Sequence, residues 1–212
     1  MTTKNLLIFG NSQMAEISNY YFDNFSDYSI AGFVVDEEYI GDKLFEGKVV
    51  LSTDEVLESN LFIDHDIFIA IGYSELNRNR EEKYKFFKNK GFNFATYISE
   101  KATIFSKNIG DNCLVLENNT IQPFSKIGNN CFLWSGNHIG HHSVIKDNCF
   151  ISSHVVISGN CQIGNNSFIG VNSSIADGVT IGKSSFIGFD VSIIKDLPDN
   201  SKVTIKNQED YL

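Results

Sequence analysis

The sequence is poor in the residue types that several functions need. It has two arginines, Arg78 and Arg80, and its 17 lysines and arginines face 26 acidic residues, which gives a formal charge of −9. Phosphate neutralisation requires clustered cations, so this balance argues against binding nucleic acid through a broad basic face. No apolar run reaches membrane-spanning length, and the first twenty residues lack a basic start followed by a small-residue cleavage site. We therefore expect a cytoplasmic protein that binds neither nucleic acid nor membrane.

Isoleucine and asparagine are abundant instead, with 25 and 23 residues, and an internal repeat explains both excesses. An aliphatic residue stands at every sixth position from Ile109 to Ile193 without a gap. Glycine often follows it directly, and three positions after it the commonest residue is asparagine, namely Asn112, Asn118, Asn130, Asn148, Asn160, Asn166 and Asn172. Asn and Gly adopt positive φ most readily, so each six-residue unit predicts a short strand followed by a corner.

Three such units, eighteen residues, predict one triangular coil of a parallel β-helix. Residues 109–198 give about five coils, stacked about 4.8 Å apart. The cysteines Cys113, Cys131 and Cys149 are eighteen residues apart, and Cys161 shares their register on another wall. We expect all four to be small, buried, reduced fillers. There is no Cys-x-x-Cys spacing, so no zinc site is expected.

The first hundred residues follow a different pattern, in which apolar runs alternate with helical segments. Strands are predicted over residues 5–9, 28–35, 49–51, 66–71 and 92–98. Helices are predicted from about residue 13 to 24, from residue 53, and over residues 75–90. Alternating strands and helices imply a small parallel sheet of the nucleotide-binding type. The chain is therefore divided into two domains, residues 1–100 and 101–212.

Ligands of a parallel sheet bind beyond the carboxyl ends of its strands. The residues at those ends are Gly10, Asn11, Ser12, Gln13, Asp36 and Gly72. Gly10 permits a tight turn, and the N–H groups that follow it face a helix N-terminus, which suits a phosphate. Asp36 is placed to hold a ribose or a base. Gln13 and Ala15 stand where a dinucleotide fingerprint has further glycines, so an ordinary strand-to-helix turn is the alternative, and an oxidoreductase is not expected.

Four of the five histidines lie close together in the repeat. His142 and His154 occupy the turn position otherwise filled by Asn and Gly, so a turn role accounts for both. His141 stands two residues after Ile139 and points outward from a corner, which makes it a candidate general base. His65, between two aspartates of the first domain, is interpreted as a solvated loop residue.

Residues 109–198 resemble the left-handed hexapeptide-repeat acyltransferases. From about residue 4 to 200, the chain resembles the subgroup that joins a small Rossmann-like domain to this helix, the sialic-acid O-acetyltransferases and the nucleotide-aminosugar N-acetyltransferases. The resemblance implies an α/β Rossmann-like domain followed by a left-handed parallel β-helix, a homotrimer, and acetyl-CoA lying between neighbouring helices. It assigns the general base to His141. Family members usually have Asp or Glu next, where this sequence has His142, so a backbone carbonyl or Asn137 could orient the imidazole instead.

The resemblance also implies the positions of the two substrates. The implied acetyl-CoA contacts are Phe150, Gly159, Val171 and Phe189, and the implied nucleotide-sugar contacts are Asn11, Ser12, Gln13, Asp36 and Gly72. Relatives often end in Gly-x-Pro-Ala-Lys, whereas residues 203–212 here read VTIKNQEDYL, so the far end of the acetyl-CoA groove is expected to differ. Both substrates are anions, and the cations expected to hold them, besides backbone N–H groups, are lysines or Arg78 and Arg80.

These observations predict direct acetyl transfer from acetyl-CoA to an amino group of a nucleotide-linked deoxysugar, as in bacterial surface-glycan biosynthesis. N–H groups near Gly159 are expected to stabilise the oxyanion. O-acetylation of a sugar such as sialic acid is the nearest alternative, and the missing acid after His141 favours the amine because a hydroxyl relies more on an oriented base. A zinc hydratase would need three converging histidines, which the spacing does not clearly provide. Only the histidine cluster argues against a non-catalytic scaffold.

Overall fold

The computed structural model describes residues 4–59, 62, 64–207 and 209. The chain forms two compact units. The first comprises Met1–Gly72 and Glu82–Tyr97, and the second comprises Tyr73–Glu81 and Ile98–Leu212. The segment Tyr73–Glu81, which we call the strap, therefore belongs to the second unit although it precedes part of the first along the chain. Within the described ranges, no helix is long and apolar enough to cross a membrane.

The first unit is a five-stranded sheet with helices between its strands. Its elements are β1 (Lys4–Phe9), α1 (Gln13–Phe25), β2 (Tyr28–Val35), β3 (Leu44–Phe45), β4 (Lys48–Ser52), α2 (Thr53–Glu58), β5 (Asp66–Ile69) and α3 (Arg78–Asn89), the last of which begins in the strap. The strand order is β3-β4-β2-β1-β5, and every pairing is parallel except that of β3 with β4. The last four residues of β1 are all buried, as expected of a central parallel strand.

Three details of this unit differ from the expectation. The hairpin of β3 and β4 was not predicted. Its turn places Glu46 and Gly47 at positive φ, and glutamate is not a usual signal for such a turn. The predicted helix over residues 75–90 starts later, at Arg78, because the three residues before it have positive φ, which an α-helix of L-residues does not accept. The strand predicted over residues 92–98 is wrong in extent: it makes a single bridge, Phe94 to Ile67, before the next strand starts at Tyr97.

The second unit is built from two-residue strands separated by corners. They are β6 (Tyr97–Ile98, at the join of the units), β7 (Thr103–Ile104), β8 (Leu114–Val115), β9 (Thr120–Ile121), β10 (Lys126–Ile127), β11 (Phe132–Leu133), β12 (His138–Ile139), β13 (Val144–Ile145), β14 (Phe150–Ile151), β15 (Val156–Ile157), β16 (Gln162–Ile163), β17 (Phe168–Ile169), β18 (Ser174–Ile175), β19 (Thr180–Ile181), β20 (Phe186–Ile187), β21 (Ser192–Ile193) and β22 (Lys202–Val203).

These strands form three parallel walls of a left-handed β-helix. The first wall contains β6, β8, β11, β14, β17, β20 and β22, the second contains β7, β9, β12, β15, β18 and β21, and the third contains β10, β13, β16 and β19. Partners in neighbouring coils are eighteen residues apart, as in the pairs of Ile139 with Ile157 and Ile145 with Ile163. The predicted fold class and the predicted coil length are thus confirmed.

The interior and the corners follow the six-residue register. The recurring aliphatic residues and the four cysteines form one buried core. All four cysteines are free thiols, and burial raises the pKa of the Cys161 thiol, which keeps it protonated. Positive φ recurs at the predicted turn position, including His142 at 60° and His154 at 59°. Asparagine also links coils there, because Asn112 Nδ2 donates to Asn130 Oδ1 at 2.7 Å and Asn130 Nδ2 donates to Asn148 Oδ1 at 2.8 Å.

The strap lies along the first wall and is tied to several coils. The ring of Tyr73 lies 4.7 Å from that of Phe168, and Asn77 Nδ2 donates to the carbonyl of Ser167 at 3.3 Å. Arg80 is completely buried over the Phe132 ring, 4.2 Å from its centroid. Its guanidinium donates to the carbonyls of Asn130 and Cys149, both at 3.2 Å. Burial lowers the pKa of Arg80 to about 10, so it stays charged at neutral pH. The expectation that Arg80 holds an anionic substrate is wrong, because its charge is used inside the fold.

Candidate active site

His141 stands on a rigid backbone and presents an exposed side chain. It lies two residues after β12, at the edge between the second and third walls, which we call the histidine corner: His141 and His142, then Gly159 after β15 and Asp177 after β18. The His141 N–H donates to Gln122 Oε1 at 2.9 Å, and its carbonyl accepts from the Asn160 N–H at 2.9 Å. Hydrogen bonds to the coils on both sides therefore fix the backbone from which the imidazole projects.

His142 supplies the hydrogen-bond partner for which the sequence offers no carboxylate. The Nδ1 atoms of His141 and His142 are 3.2 Å apart, and the His142 ring packs on Phe124 with 4.8 Å between ring centroids. One of two neutral imidazoles must donate and the other accept. If His141 donates from Nδ1, its Nε2 carries the lone pair and faces outward as a base. A neutral acceptor orients the ring but stabilises an imidazolium less than a carboxylate would.

Gly159 and Asp177 complete the histidine corner. A Cβ atom on Gly159 would lie 2.6 Å from His141 Cε1, 2.9 Å from His141 Nε2 and 2.8 Å from Asp177 Oδ1. Both side chains therefore lean over the glycine, and only a residue without a side chain fits between them. Asp177 and Gln122 were not among the predicted site residues. Asp177 was detectable, because it stands eighteen residues after Gly159 and thirty-six after His141, in the same register.

Asn137 is placed differently from the two histidines. Its Nδ2 donates to the Trp134 carbonyl at 2.6 Å, and its Oδ1 accepts from the Val155 N–H at 2.8 Å. The side chain is buried and joins two coils of the backbone. The structure does not bring this amide to the His141 ring. Asn137 stands four positions after the aliphatic residue Leu133, and at that place in the register a side chain faces the interior.

The four residues expected to contact acetyl-CoA do not lie together in one chain. Gly159 is at the histidine corner. Val171 and Phe189 follow β17 and β20 at the edge between the first and second walls, which we call the apolar corner, and they are 42% and 67% exposed. Phe150 is only 4% exposed, and the Tyr73 ring covers it with centroids 5.1 Å apart. The structure thus groups Val171 with Phe189 and separates both from Gly159 and Phe150.

The other histidines are dispersed. His138 lies on the second wall, and His154 fits above Gly136, where a Cβ would come 2.6 Å from His154 Nδ1. In the described part of the chain, no group of three or more His, Cys, Asp or Glu side chains is arranged to hold a metal ion. His65 is less solvated than expected: its ring packs 5.3 Å from Phe62, and burial lowers its pKa.

The first unit places most of the predicted nucleotide-binding residues at one sheet edge. β1 lies between β2 and β5, so Gly10, Asn11 and Ser12 follow the strand at which the sheet changes direction. Gly10 has a φ of 124°, and a Cβ there would lie 3.1 Å from the Ala70 carbonyl oxygen. Ser12 caps α1 without a side-chain hydrogen bond, and Gln13 is the first helical residue. Gly72 has open space where a side chain would be.

Asp36 directly follows β2 and lies beside a cation. Lys83 Nζ lies 2.7 Å from Asp36 Oδ2, and Thr53 Oγ1 lies 3.1 Å from Asp36 Oδ1. These residues line a cavity of about 570 Å³ whose other lining residues are Glu37, Glu38, Asp54 and Phe86. A cavity with this excess of carboxylates suits hydroxyl and amino donors better than phosphates. The phosphate position is therefore better sought at the N-terminus of α1 than in this cavity.

These features define a class of structure, in which a small α/β sheet is followed along the chain by a hexapeptide β-helix with an exposed histidine corner. Residues 124–159 and 160–195 match the family model described as bacterial transferase hexapeptide (six repeats). Among the curated proteins, no sequence matches significantly.

Solved structures share the fold over nearly the whole chain. One is a variant of perosamine N-acetyltransferase from Caulobacter crescentus in complex with CoA and GDP-perosamine, with a TM-score of 0.83, 22% identity, and coverage of 95% of this chain and 93% of that one. Another is the acetyltransferase domain of PglB from Neisseria gonorrhoeae FA1090 in complex with acetyl coenzyme A, with a TM-score of 0.83, 22% identity, and coverage of 95% and 96%. WeeI from Acinetobacter baumannii AYE has a TM-score of 0.80, 21% identity, and coverage of 97% and 98%.

Proposed function

We propose that this protein transfers the acetyl group of acetyl-CoA to an amino group of a nucleotide-linked amino-deoxysugar, in bacterial surface-glycan biosynthesis. The observation that carries the proposal is the outward-facing His141, paired with His142 Nδ1 and standing against the bare Gly159 backbone. The likeness to acetyltransferase structures that hold CoA or a nucleotide-linked aminosugar supports the substrate classes. Four buried free thiols fit a reducing compartment such as the cytoplasm.

The proposed reaction is a single displacement at the thioester carbonyl. The acceptor nitrogen attacks the carbonyl carbon while His141 Nε2 removes one of its protons. The C–N bond forms as the carbonyl π electrons move to oxygen, and collapse of this oxyanion breaks the C–S bond. The CoA sulfur then takes the proton from the imidazolium, which regenerates the neutral base. His142 holds the reactive tautomer by accepting the proton of His141 Nδ1.

Backbone N–H groups of the histidine corner are the proposed oxyanion donors. The Gly159 carbonyl accepts from the Gly178 N–H at 2.9 Å, and the Asn160 N–H donates to His141. Among the described residues, the Gly159 N–H makes no backbone hydrogen bond. Because Gly159 stands against the imidazole, we assign its N–H to the oxygen that becomes negative during the attack.

A homotrimer would explain why the expected acetyl-CoA contacts are split. Val171 and Phe189 form an exposed strip at the apolar corner, while the base is at a different edge of the prism. A single chain cannot line one groove with both edges. Two neighbouring chains could do so, with the apolar corner of one facing the histidine corner of the other. Apolar atoms exposed in a single chain would then be buried around the thioester arm of the cofactor.

The nucleotide of the acceptor is assigned to the first unit. Gly10, Asn11, Ser12 and Gln13 would place backbone N–H groups on the diphosphate at the N-terminus of α1, where the helix dipole favours an anion. Asp36 and Gly72 would flank the base or ribose. Lys83 is the cation that the structure brings to this edge, through its ion pair with Asp36.

The test is a panel of nucleotide aminosugars incubated with acetyl-CoA, in which free CoA thiol is followed. We expect thiol release with at least one aminosugar, and a fall of about 10²–10⁴-fold in kcat for His141→Asn. His65→Asn is the control, because it removes a histidine of the first unit that precedes β5 and belongs to neither corner; its activity should be unchanged. Equal activity of His141→Asn and wild type would refute the base, and thiol release with sialic acid but no aminosugar would establish O-acetylation.

A further inference from the structure

Asp177 stands on the far side of a gap that faces the proposed base. The register pairs Ile139 with Ile157 and Ile157 with Ile175, so His141, Gly159 and Asp177 occupy equivalent places in three successive coils. Both side chains are exposed, and Gly159 puts no side chain of its own between them.

The gap between the two side chains is narrow enough for one atom to bridge it. The Cβ position of Gly159 is 2.9 Å from His141 Nε2 and 2.8 Å from Asp177 Oδ1. The two polar atoms are therefore at most about 6 Å apart, because both distances start at one point. A nitrogen about 2.8 Å from each atom spans such a gap with two hydrogen bonds of ordinary length. Among the described residues, the His141 imidazole and the Asp177 carboxylate form no hydrogen bond or ion pair with each other, so both can turn to a ligand.

We propose that Asp177 binds the acceptor amine opposite His141 and thereby selects an amine over a hydroxyl. The proposal rests on the proposed function and names the group that determines its acceptor class. An attacking amine has two N–H bonds and one lone pair: one proton goes to His141 Nε2, the other N–H donates to Asp177, and the lone pair attacks the thioester. A hydroxyl has one proton, so when it donates to His141 its oxygen lone pairs face the carboxylate, which repels them.

Few charged side chains of the described residues lie along this edge of the β-helix. His142 lies beside the base, and Lys195 and Asp196 occupy the next coil beyond Asp177, where Asp196 Oδ1 accepts the Thr180 N–H at 2.7 Å. Asp177 is therefore the carboxylate that reaches the glycine gap. It also attracts the acceptor while this is still an ammonium ion, which loses one proton to solvent before the neutral amine attacks, so that His141 is free to take the second proton.

The experiment compares an amine acceptor with its hydroxyl analogue in wild type and Asp177→Asn. KM is measured for the best nucleotide aminosugar of the panel, and an inhibition constant is measured for the same nucleotide sugar with hydroxyl in place of the amine. We expect Asp177→Asn to raise KM for the amine by about 10-fold or more, from loss of a charge-assisted hydrogen bond. KM for acetyl-CoA should stay constant, and the hydroxyl analogue should bind as well as before or better.

Asp199→Asn is the matched control, since it removes a carboxylate at another corner of the same helix, where Asp199 Oδ1 accepts the Lys183 N–H and the amide of asparagine keeps that acceptor. Asp177→Ser tests the same loss with a different side chain, and a thermal melt checks that both variants fold. An unchanged amine KM, or equal weakening of amine and hydroxyl ligands, overturns the role of Asp177 while the acetyltransferase stands. A wild-type enzyme that acetylates no aminosugar overturns both proposals.

Discussion

We expect Gly159→Ala, at the histidine corner, to reduce activity strongly while it changes the free energy of unfolding little. The new methyl group would lie 2.6 Å from His141 Cε1 and 2.8 Å from Asp177 Oδ1, about 1 Å inside normal contact. Both obstacles are ends of exposed side chains, so they can swing away at little cost to the fold. The free energy of unfolding should fall by less than about 1 kcal/mol, because side-chain movement relieves overpacking.

Catalysis should suffer far more than stability from the same change. Moving the imidazole by about 1 Å breaks its bond to His142 and takes Nε2 away from the acceptor, and misplacement on this scale costs about 10²-fold in kcat/KM. The assay is thiol release under subsaturating acceptor, together with chemical denaturation of the same preparation. We expect a protein of near-normal stability with at least a hundredfold loss of activity.

Gly140→Ala is the contrasting variant one strand away. Its Cβ would collide with the backbone of Ser158 and lie 2.6 Å from the Gly159 nitrogen, and these atoms belong to a coil that cannot move aside. This variant should lose stability, by about 1–3 kcal/mol or more, as overpacking of a closed core does. The reasoning is refuted if Gly159→Ala keeps full activity, or if it unfolds as readily as Gly140→Ala.

Two further predictions concern groups held by hydrogen bonds. His142→Ala should lower kcat by about 10-fold, less than His141→Asn does, and His142→Asp should restore or exceed wild-type kcat because a carboxylate accepts the His141 Nδ1 proton more strongly; equal rates for the Ala and Asp variants would contradict this. Arg80→Met should lower the free energy of unfolding by about 2–4 kcal/mol in urea denaturation, since it leaves the carbonyls of Asn130 and Cys149 without this buried donor, whereas the exposed Arg78→Met should change it by less than about 0.5 kcal/mol.

The β-helix was predictable because its determinants are local in sequence. Each aliphatic of the six-residue register packs on residues six or eighteen positions away, so periodicity alone identifies the coil. The turn position was predictable for the same reason: a positive φ is a property of single residues, and Asn112, His142 and Asn160 all have it.

The parts that escaped prediction depend on contacts with no period. The strap contains three successive residues with positive φ, Glu75, Leu76 and Asn77. Glutamate and leucine rarely adopt positive φ, so the sequence does not predict this backbone. Only part of the candidate site could be predicted from the sequence. His141 stood out as a histidine beside a corner, but the partner of its Nδ1 is His142 rather than Asn137, because the register turns the Asn137 amide inward. Asp177 is recognisable only when residues eighteen positions apart are compared along this corner.

The strap imposes an order on folding during synthesis. A coil of the β-helix closes once the next eighteen residues exist, whereas Asn77 must wait for Ser167, which is 90 residues later, and Arg80 waits for Asn130 and Cys149, which are 50 and 69 residues later. At about 5–20 residues per second, the ribosome delivers the Asn77 partner roughly 5–20 s after Asn77 itself. Until their own partners have been made, the guanidinium of Arg80 and the ring of Tyr73 remain in water. The strap therefore docks only after the coils beneath it have formed, although it precedes all of them in the sequence.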